Sequence, residues 1–224
     1  MRSKKYQEIK KKIAPKDYSL EEAIDFIKEN KAANFEEAVE IHFRLGINPK
    51  KTEQQVKGSL ILPGGEVKKK KIAAFVSPEN EKEAQEAGAD LVGGGELIEK
   101  IKNEKKCDFD VAIAEPKIMK DLSQIAKILG PRGLMPNPKT NTVTTDIKKT
   151  MAELKQGKIN FRNDAGGNIH QAIAKVSWPK EKIKDNIEAF ILAVRKEKPA
   201  GVKGNFIKGI TLSSTMGPGL KIIF

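Results

Sequence analysis

Pro63–Ser77, PGGEVKKKKIAAFVS, is the stretch whose reading decides the fold. Pro63-Gly64-Gly65 breaks the chain direction, four lysines (Lys68 to Lys71) follow, and Lys71–Ser77 is a near-continuous apolar strand. The rhythm set there repeats downstream. A helix over 78–87 is followed by a strand over 89–93, a helix over 95–103 and a strand over 109–114 (FDVAIA). A helix from Met119 to Leu129 runs into Gly130, and another over 146–155 ends at Gly157. Short strands alternating with longer helices point to a doubly wound α/β unit with a parallel sheet over 66–156.

On either side of this stretch the grammar is different. Residues 3–13 form a short basic helix stopped near Pro15. Ser19 and Glu22 form a capping box that opens a helix over 19–30, with Leu20, Ala23, Ile24 and Ile27 on one face. Residues 36–45 read as a strand, broken by Gly46–Pro49, and 55–62 (QVKGSLIL) as its partner strand. Beyond Lys158, strands over 159–162 and 167–177 flank an Asn163–Gly167 turn. Pro179 begins a helix over 179–196 striped with Ile183, Ile187, Phe190, Ile191 and Val194. Strands over 205–213 and 220–224 close the chain around Thr215–Gly219. The economical architecture is an α+β split domain, 1–65 plus 157–224, with the α/β domain 66–156 inserted in it. The two crossings, near 64–68 and 156–158, then act as a paired hinge.

Composition narrows the function. The 224 residues carry 42 Lys+Arg against 30 Asp+Glu, a formal net charge of +12 and a pI near 9.5. The excess is uneven: residues 1–65 hold 13 basic and 10 acidic side chains, 66–156 hold 17 and 15, and 157–224 hold 12 and 5. A polyanionic partner is therefore the first hypothesis, with its surface on the split domain. No apolar run approaches the ~18 residues of a membrane span, and the basic first residues lack an apolar signal core. Those features exclude a secreted or membrane protein, and the single Cys107 fits a reducing cytoplasm. His42, His170 and Cys107 do not stand at metal-ligand spacing, and there is no Gly-x-Ser-x-Gly elbow. The pairs Glu21-Glu22 and Glu36-Glu37 read as solvated faces. No catalytic, cofactor-binding or metal-ligating residue is expected.

Three glycine-containing stretches remain. Gly93-Gly94-Gly95 precedes a helix and reads as a tight strand-to-helix turn; phosphate binding there would make the insert an enzyme, which a copurifying nucleotide would reveal. Residues 130–139, GPRGLMPNPK, form a stiff loop whose Leu134-Met135 tip either contacts a partner or packs on its own domain. Thr215–Gly219, TMGPG, combines small residues, a hydroxyl and Met216, which suits either close approach to RNA or a core plug.

In order and spacing, NFEEAVEIHFRLGINPKK, ADLVGGGE, ILGPRGLMPNPK, INFRND and STMGPG closely resemble the L-one family of bacterial large-subunit ribosomal proteins, through essentially the whole chain. The resemblance implies a split α+β domain with a Rossmann-like insert. It implies binding of the ribosomal RNA of the mobile stalk, help in releasing deacylated tRNA from the exit site, and repression of the protein's own mRNA through its leader. It also implies a cytoplasmic, ribosome-bound protein that is a monomer off the ribosome. Carried over by position, the RNA-binding residues are Phe35, Arg162, Asp164, Gly167, His170, Ser214, Thr215, Met216 and Gly217. Ala165-Gly166 stands where relatives often have a basic or hydroxyl residue, so one phosphate contact is expected to be missing. A non-ribosomal RNA-binding module or RNA chaperone is the competing class.

Overall fold

The computed structural model describes residues 3–65, 70–104 and 106–223. In chain order these form α1 (Lys4–Lys11), α2 (Leu20–Glu29), β1 (Ala38–Leu45), β2 (Lys57–Ile61), β3 (Ile72–Phe75), α3 (Glu81–Glu86), β4 (Leu91–Gly93) and α4 (Gly95–Glu104). Then come β5 (Val111–Ala114), α5 (Met119–Leu122), α6 (Ala126–Arg132), α7 (Ile147–Lys155), β6 (Lys158–Arg162), β7 (Asn168–Lys175), α8 (Lys180–Lys196), β8 (Ile207–Ser214) and β9 (Leu220–Ile222). The chain divides into two compact units, the first of residues up to Val67 with Ile159 onward, the second Lys68–Lys158. The first crossing, with Lys68, Lys69 and the boundary at 65/66, lies outside the described residues, as does Phe224.

The first unit is built on an antiparallel sheet of order β7-β1-β8-β9. Strict alternation in β1 sends Val39, Ile41, Phe43 and Leu45 inward, all nearly inaccessible, and Glu40, His42 and Arg44 to the opposite face. The inward face packs on α2 and α8. Ser19 caps α2 through the expected box: its hydroxyl accepts from Glu22 N–H while Glu22 accepts from Ser19 N–H. Phe43 and Phe161 both meet the Phe190 ring of α8, at centroid distances of 5.6 and 5.2 Å.

Two strand pairings differ from the sequence reading. Strand β2 does not pair with β1; its partner is β6, in a separate two-stranded sheet. Correspondingly β6 and β7 are not a hairpin across the Asn163–Gly167 turn, because β7 pairs with β1, with His42 opposite His170. Alternation identifies a strand and its buried face, but not which neighbour completes its ladder.

The second unit holds a parallel sheet of order β4-β3-β5. Ala73 and Phe75 of β3 point to the face covered by α4, α5 and α6, and Ile72, Ala74 and Val76 to the face covered by α3 and α7. The sheet is thus doubly wound, as its two-sided apolar strands require. The 119–129 helix is divided into α5, a 3-10 turn over Ser123–Ile125, and α6. Gly130 does not end it; α6 accommodates Pro131 and stops at Gly133, which has φ +71°. The GPRGLMPNPK stretch therefore begins as helix, and its apolar tip, Leu134 and Met135, packs on the core of its own unit. Asn137 and Thr142 tie the remainder together, with Asn137 N–H donating to Thr142 Oγ1 at 2.8 Å.

Asn186 of α8 is fully buried and bridges two segments of the first unit. Its Oδ1 accepts from Gly64 N–H at 2.7 Å, and its Nδ2 donates to Ile173 C=O at 2.7 Å. Replacing Asn186 with Leu leaves both backbone groups unpaired in the interior. The first unit is expected to lose about 2–4 kcal/mol, read as a lower urea midpoint of Trp178 fluorescence, which reports on that unit alone.

Candidate nucleic-acid interface

The outward face of the four-stranded sheet gathers the charged and polar side chains that alternation turns away from the core. At one end stand the residues preceding β1 and the turn following β8; at the other stands the turn preceding β7. Between them lies a pair of histidines.

Glu37 organises the first end. Although it was expected to be solvated, it is only 2% exposed. Its Oε1 accepts from Ser214 Oγ–H at 3.2 Å and from Met216 N–H at 3.0 Å, and its Oε2 accepts from Ala32 N–H at 3.2 Å. A single carboxylate thus joins the 31–37 segment to the 214–217 turn, and hydrogen bonding compensates the charge for its loss of water. Thr215 closes the same junction: its hydroxyl accepts from Ala38 N–H at 3.0 Å and returns a bond to Ala38 C=O at 3.4 Å. Gly217 N–H donates to Ser214 C=O, and a Cβ at 217 would lie 2.5 Å from Ser214 Oγ, so the turn has no space for a side chain there. Phe35 and Met216 are held outside this network, 57% and 55% exposed. Met216 is therefore a surface residue and not a core plug. Ser214 is buried, and its hydroxyl serves Glu37.

At the second end Asp164 shapes its own turn, with Oδ1 accepting from Gly166 N–H at 2.8 Å and Asn168 N–H at 2.7 Å. These bonds, the one from Asn168 foremost, hold its carboxyl below the ordinary range against the opposing effect of desolvation. Gly167 adopts φ +79°, and its C=O accepts from Leu45 N–H at the end of β1. Arg162 is exposed on β6.

His170 leads from this turn to the centre of the face. Its Nε2 is 3.5 Å from Asp164 Oδ2, and its Nδ1 is 2.9 Å from Nδ1 of His42. His42 Nε2 in turn is 3.0 Å from Ser213 Oγ, with Glu40 at 4.0 Å. A hydrogen bond at that distance takes one ring as donor and the other as acceptor. Burial first, and then the charge of His170, holds His42 below the usual imidazole range, with Glu40 opposing.

The sequence reading missed Glu37 and His42. The period-2 pattern of 39, 41, 43 and 45, extended one step back, places Glu37 on the buried face. His42 has no signal of its own, because its partner stands 128 residues away.

The charge pattern also differs across the unit. Lys16, Lys175, Lys180, Lys184 and Lys221 are paired with Glu22, Glu36, Asp25, Glu21 and Asp17. Among the described residues Arg44, Lys57, Arg162 and Lys208 form no ion pair. These four stand near the C-terminal end of β1 and on the adjacent β2–β6 sheet, while other lysines without an ion pair, Lys4, Lys5, Lys10 and Lys11 of α1 and Lys182 of α8 among them, lie elsewhere in the unit.

In the second unit, Gly94 C=O accepts from Ile98 N–H as α4 begins, so the glycine run is a strand-to-helix turn. The nearby ends of β3 and β5 carry a buried acid. Glu115 lies there, 4% exposed, and accepts from Ser77 Oγ–H at 2.7 Å and Asn80 Nδ2–H at 2.6 Å. No group of three or more metal-ligating side chains is placed to hold an ion among the described residues.

Two measurements check this geometry. Glu37→Ala leaves three donors without their acceptor and is expected to lower the stability of the first unit by about 1–3 kcal/mol in urea titrations. His42 binds a proton less readily in the folded chain than in the unfolded one. Its contribution to stability is complete above about pH 6.5 and declines as pH falls below that value. The Tm from Trp178 fluorescence should accordingly drop more between pH 7 and pH 5 in the native sequence than in His42→Gln.

Comparison with known proteins identifies the family. The ribosomal protein L1p/L10e family matches residues 27–218, a span containing the second unit, most of the first and all nine candidate RNA contacts. The chain is 47% identical over 219 residues to large ribosomal subunit protein uL1 of Solibacter usitatus, with 98% of this chain and 92% of the relative covered. It is 47% identical over 223 residues to the uL1 protein of Mycoplasma capricolum, covering 99% and 98%. Against the uL1 protein of Thermosipho africanus it is 47% identical over 221 residues, covering 98% and 95%. The chain therefore belongs to the ribosomal protein L1p/L10e family.

Proposed function

We propose that the outward sheet face of the first unit, from Phe35 and Met216 to the Asp164 turn, binds the folded ribosomal RNA segment of the large-subunit stalk. The observation that carries this reading is the Glu37 junction, which spends a buried charge to hold two large apolar side chains in water. A core gains nothing from that arrangement, whereas a shallow RNA groove lined with sugar and base edges does. In this reading Phe35, Met216, Arg162 and His170 meet RNA directly, while Ser214, Thr215, Gly167 and Gly217 fix the backbone and Asp164 orients His170. The second unit, joined through a paired hinge, assists release of deacylated tRNA from the exit site. The same face recognises the leader of the protein's own mRNA, and off the ribosome the protein is a monomer.

Filter binding with a stalk RNA fragment tests this. Met216→Asp is expected to weaken binding by about 10–100-fold, the scale of losing a well-packed interface contact, while circular dichroism remains unchanged. The leader RNA should compete for the same site with the same sensitivity to Met216→Asp. Full affinity in Met216→Asp would remove the reading.

A further inference from the structure

The chain has two histidines, 128 residues apart and at no metal-ligand spacing in the sequence, yet the fold makes them direct cross-strand neighbours. His42 of β1 is paired with His170 of β7, and opposed side chains on one face of a sheet lie ~4.5–5.5 Å apart at Cβ. The two Nδ1 atoms are 2.9 Å apart and the ring centroids 5.0 Å, with the ring planes tilted by 59°.

Three features of the pair suit a metal ion. First, both rings turn the same nitrogen toward the gap, and each outer nitrogen has an oxygen beside it. His170 Nε2 faces Asp164 Oδ2 at 3.5 Å, and His42 Nε2 lies 3.0 Å from Ser213 Oγ. An imidazole whose Nε2–H is directed at an oxygen presents the lone pair of Nδ1, the orientation in which metal-binding histidines are held. Second, one ring is fixed and the other has room to adjust. The His42 side chain is 27% exposed, on a strand bordered by β7 and β8, whereas that of His170 is 54% exposed. Zn–N bonds of ~2.0–2.1 Å at a tetrahedral angle set two nitrogens about 3.3 Å apart, so His170 needs to withdraw by only about 0.4 Å. Third, acids flank the rings. Besides Asp164 on His170, Glu40 Oε2 is 4.0 Å from His42 Nε2, against Arg44 as the cation on the same face of β1.

The proton balance is simple. In the empty pair, His170 directs its Nε2–H at Asp164 and accepts at Nδ1 the bond that His42 Nδ1–H donates. When an ion takes both Nδ1 lone pairs, the His42 proton moves to Nε2 of the same ring and is donated to Ser213 Oγ. Neutral rings therefore lose no net proton. Among the described residues no third His, Cys, Asp or Glu joins the pair, so the remaining positions of the ion are filled by oxygens from solvent. Two imidazoles suit Zn²⁺, Cu²⁺ or Ni²⁺, whereas Mg²⁺ and Ca²⁺ take oxygen ligands.

We propose that His42 and His170 form an open, two-imidazole site for one divalent transition-metal ion of the zinc class. The proposal goes beyond RNA recognition: its ligand is a cation, and neither Phe35 nor Met216 enters it.

Nuclear magnetic resonance of the histidine ring nitrogens in the full chain tests it, because only two rings contribute signals. Zn²⁺ alone is the probe, titrated at neutral pH. Both rings are expected to shift together and to saturate at one equivalent, with the larger change at Nδ1, while Mg²⁺ at the same concentrations leaves them in place. His42→Gln and His170→Gln are each expected to weaken Zn²⁺ binding by more than about 10-fold, a loss already reached when only the partner orienting a ligand is removed. Trp178 fluorescence confirms that each variant is folded. Cys107→Ser, which removes the one thiol of the chain, is expected to bind Zn²⁺ as the native sequence does. Rings that stay in place at one equivalent, that shift independently, or that need a large excess of Zn²⁺ overturn the proposal. Undiminished binding in either glutamine variant overturns it too, as does loss of binding in Cys107→Ser. Met216→Asp is expected to keep the full zinc response, so a failure of this site and a failure of the RNA reading are read separately.

Discussion

Strand β1 is the constraint on which the first unit depends. It lies between β7 and β8, so residues 38–45 are hydrogen-bonded on one side to 168–175 and on the other to 207–214. The first unit cannot close until the ends of the 68–158 segment have been brought together. Closing so long a loop costs only slowly more with length, and the cost is smaller still when the segment is itself folded. An inserted domain with its own doubly wound core meets that condition. The apolar alternation of β1 offsets the remaining entropy by burying Val39, Ile41, Phe43 and Leu45 against α2 and α8.

The same pairing builds the surface. Because both helices pack on the inward face, the opposite face is left with Glu40, His42, Arg44, His170 and Thr211, drawn from three distant segments. Glu37 then settles one end of that face. Its carboxylate is buried where an unpaired charge would cost several kcal/mol, and it is retained because three donors converge on it. The hydroxyls of Thr215 and Ser214 are occupied in the same junction. These two residues therefore act by fixing the turn, and the direct contacts at this end fall to Phe35 and Met216.

Charge pairing distinguishes cations that a total of +12 does not. Lysines facing α2 and the strand edges are matched to neighbouring carboxylates, and exposed pairs of this kind contribute little to stability. They do cancel the local field. Arg44, Lys57, Arg162 and Lys208 are left unmatched near the second end of the face, as are lysines of α1 and α8 away from it.

By itself the sequence determined the segmentation into two grammars, the capping box at Ser19, the two-sided strands of the inserted unit and the buried faces of β1 and α8. Each of these is a local pattern, set by side-chain periodicity and backbone sterics. It also supplied the motifs by which Phe35, Met216 and the Asp164 turn were singled out. What only the tertiary structure decided is pairing. Strand β2 joins β6 instead of β1, and β7 leaves β6 to join β1, because ladder partners are selected by burial and long-range closure that no local window contains. The same reason hid Glu37 and the His42–His170 contact: a buried carboxylate needs donors, and a ring needs its neighbour, and here both are supplied from the far end of the chain.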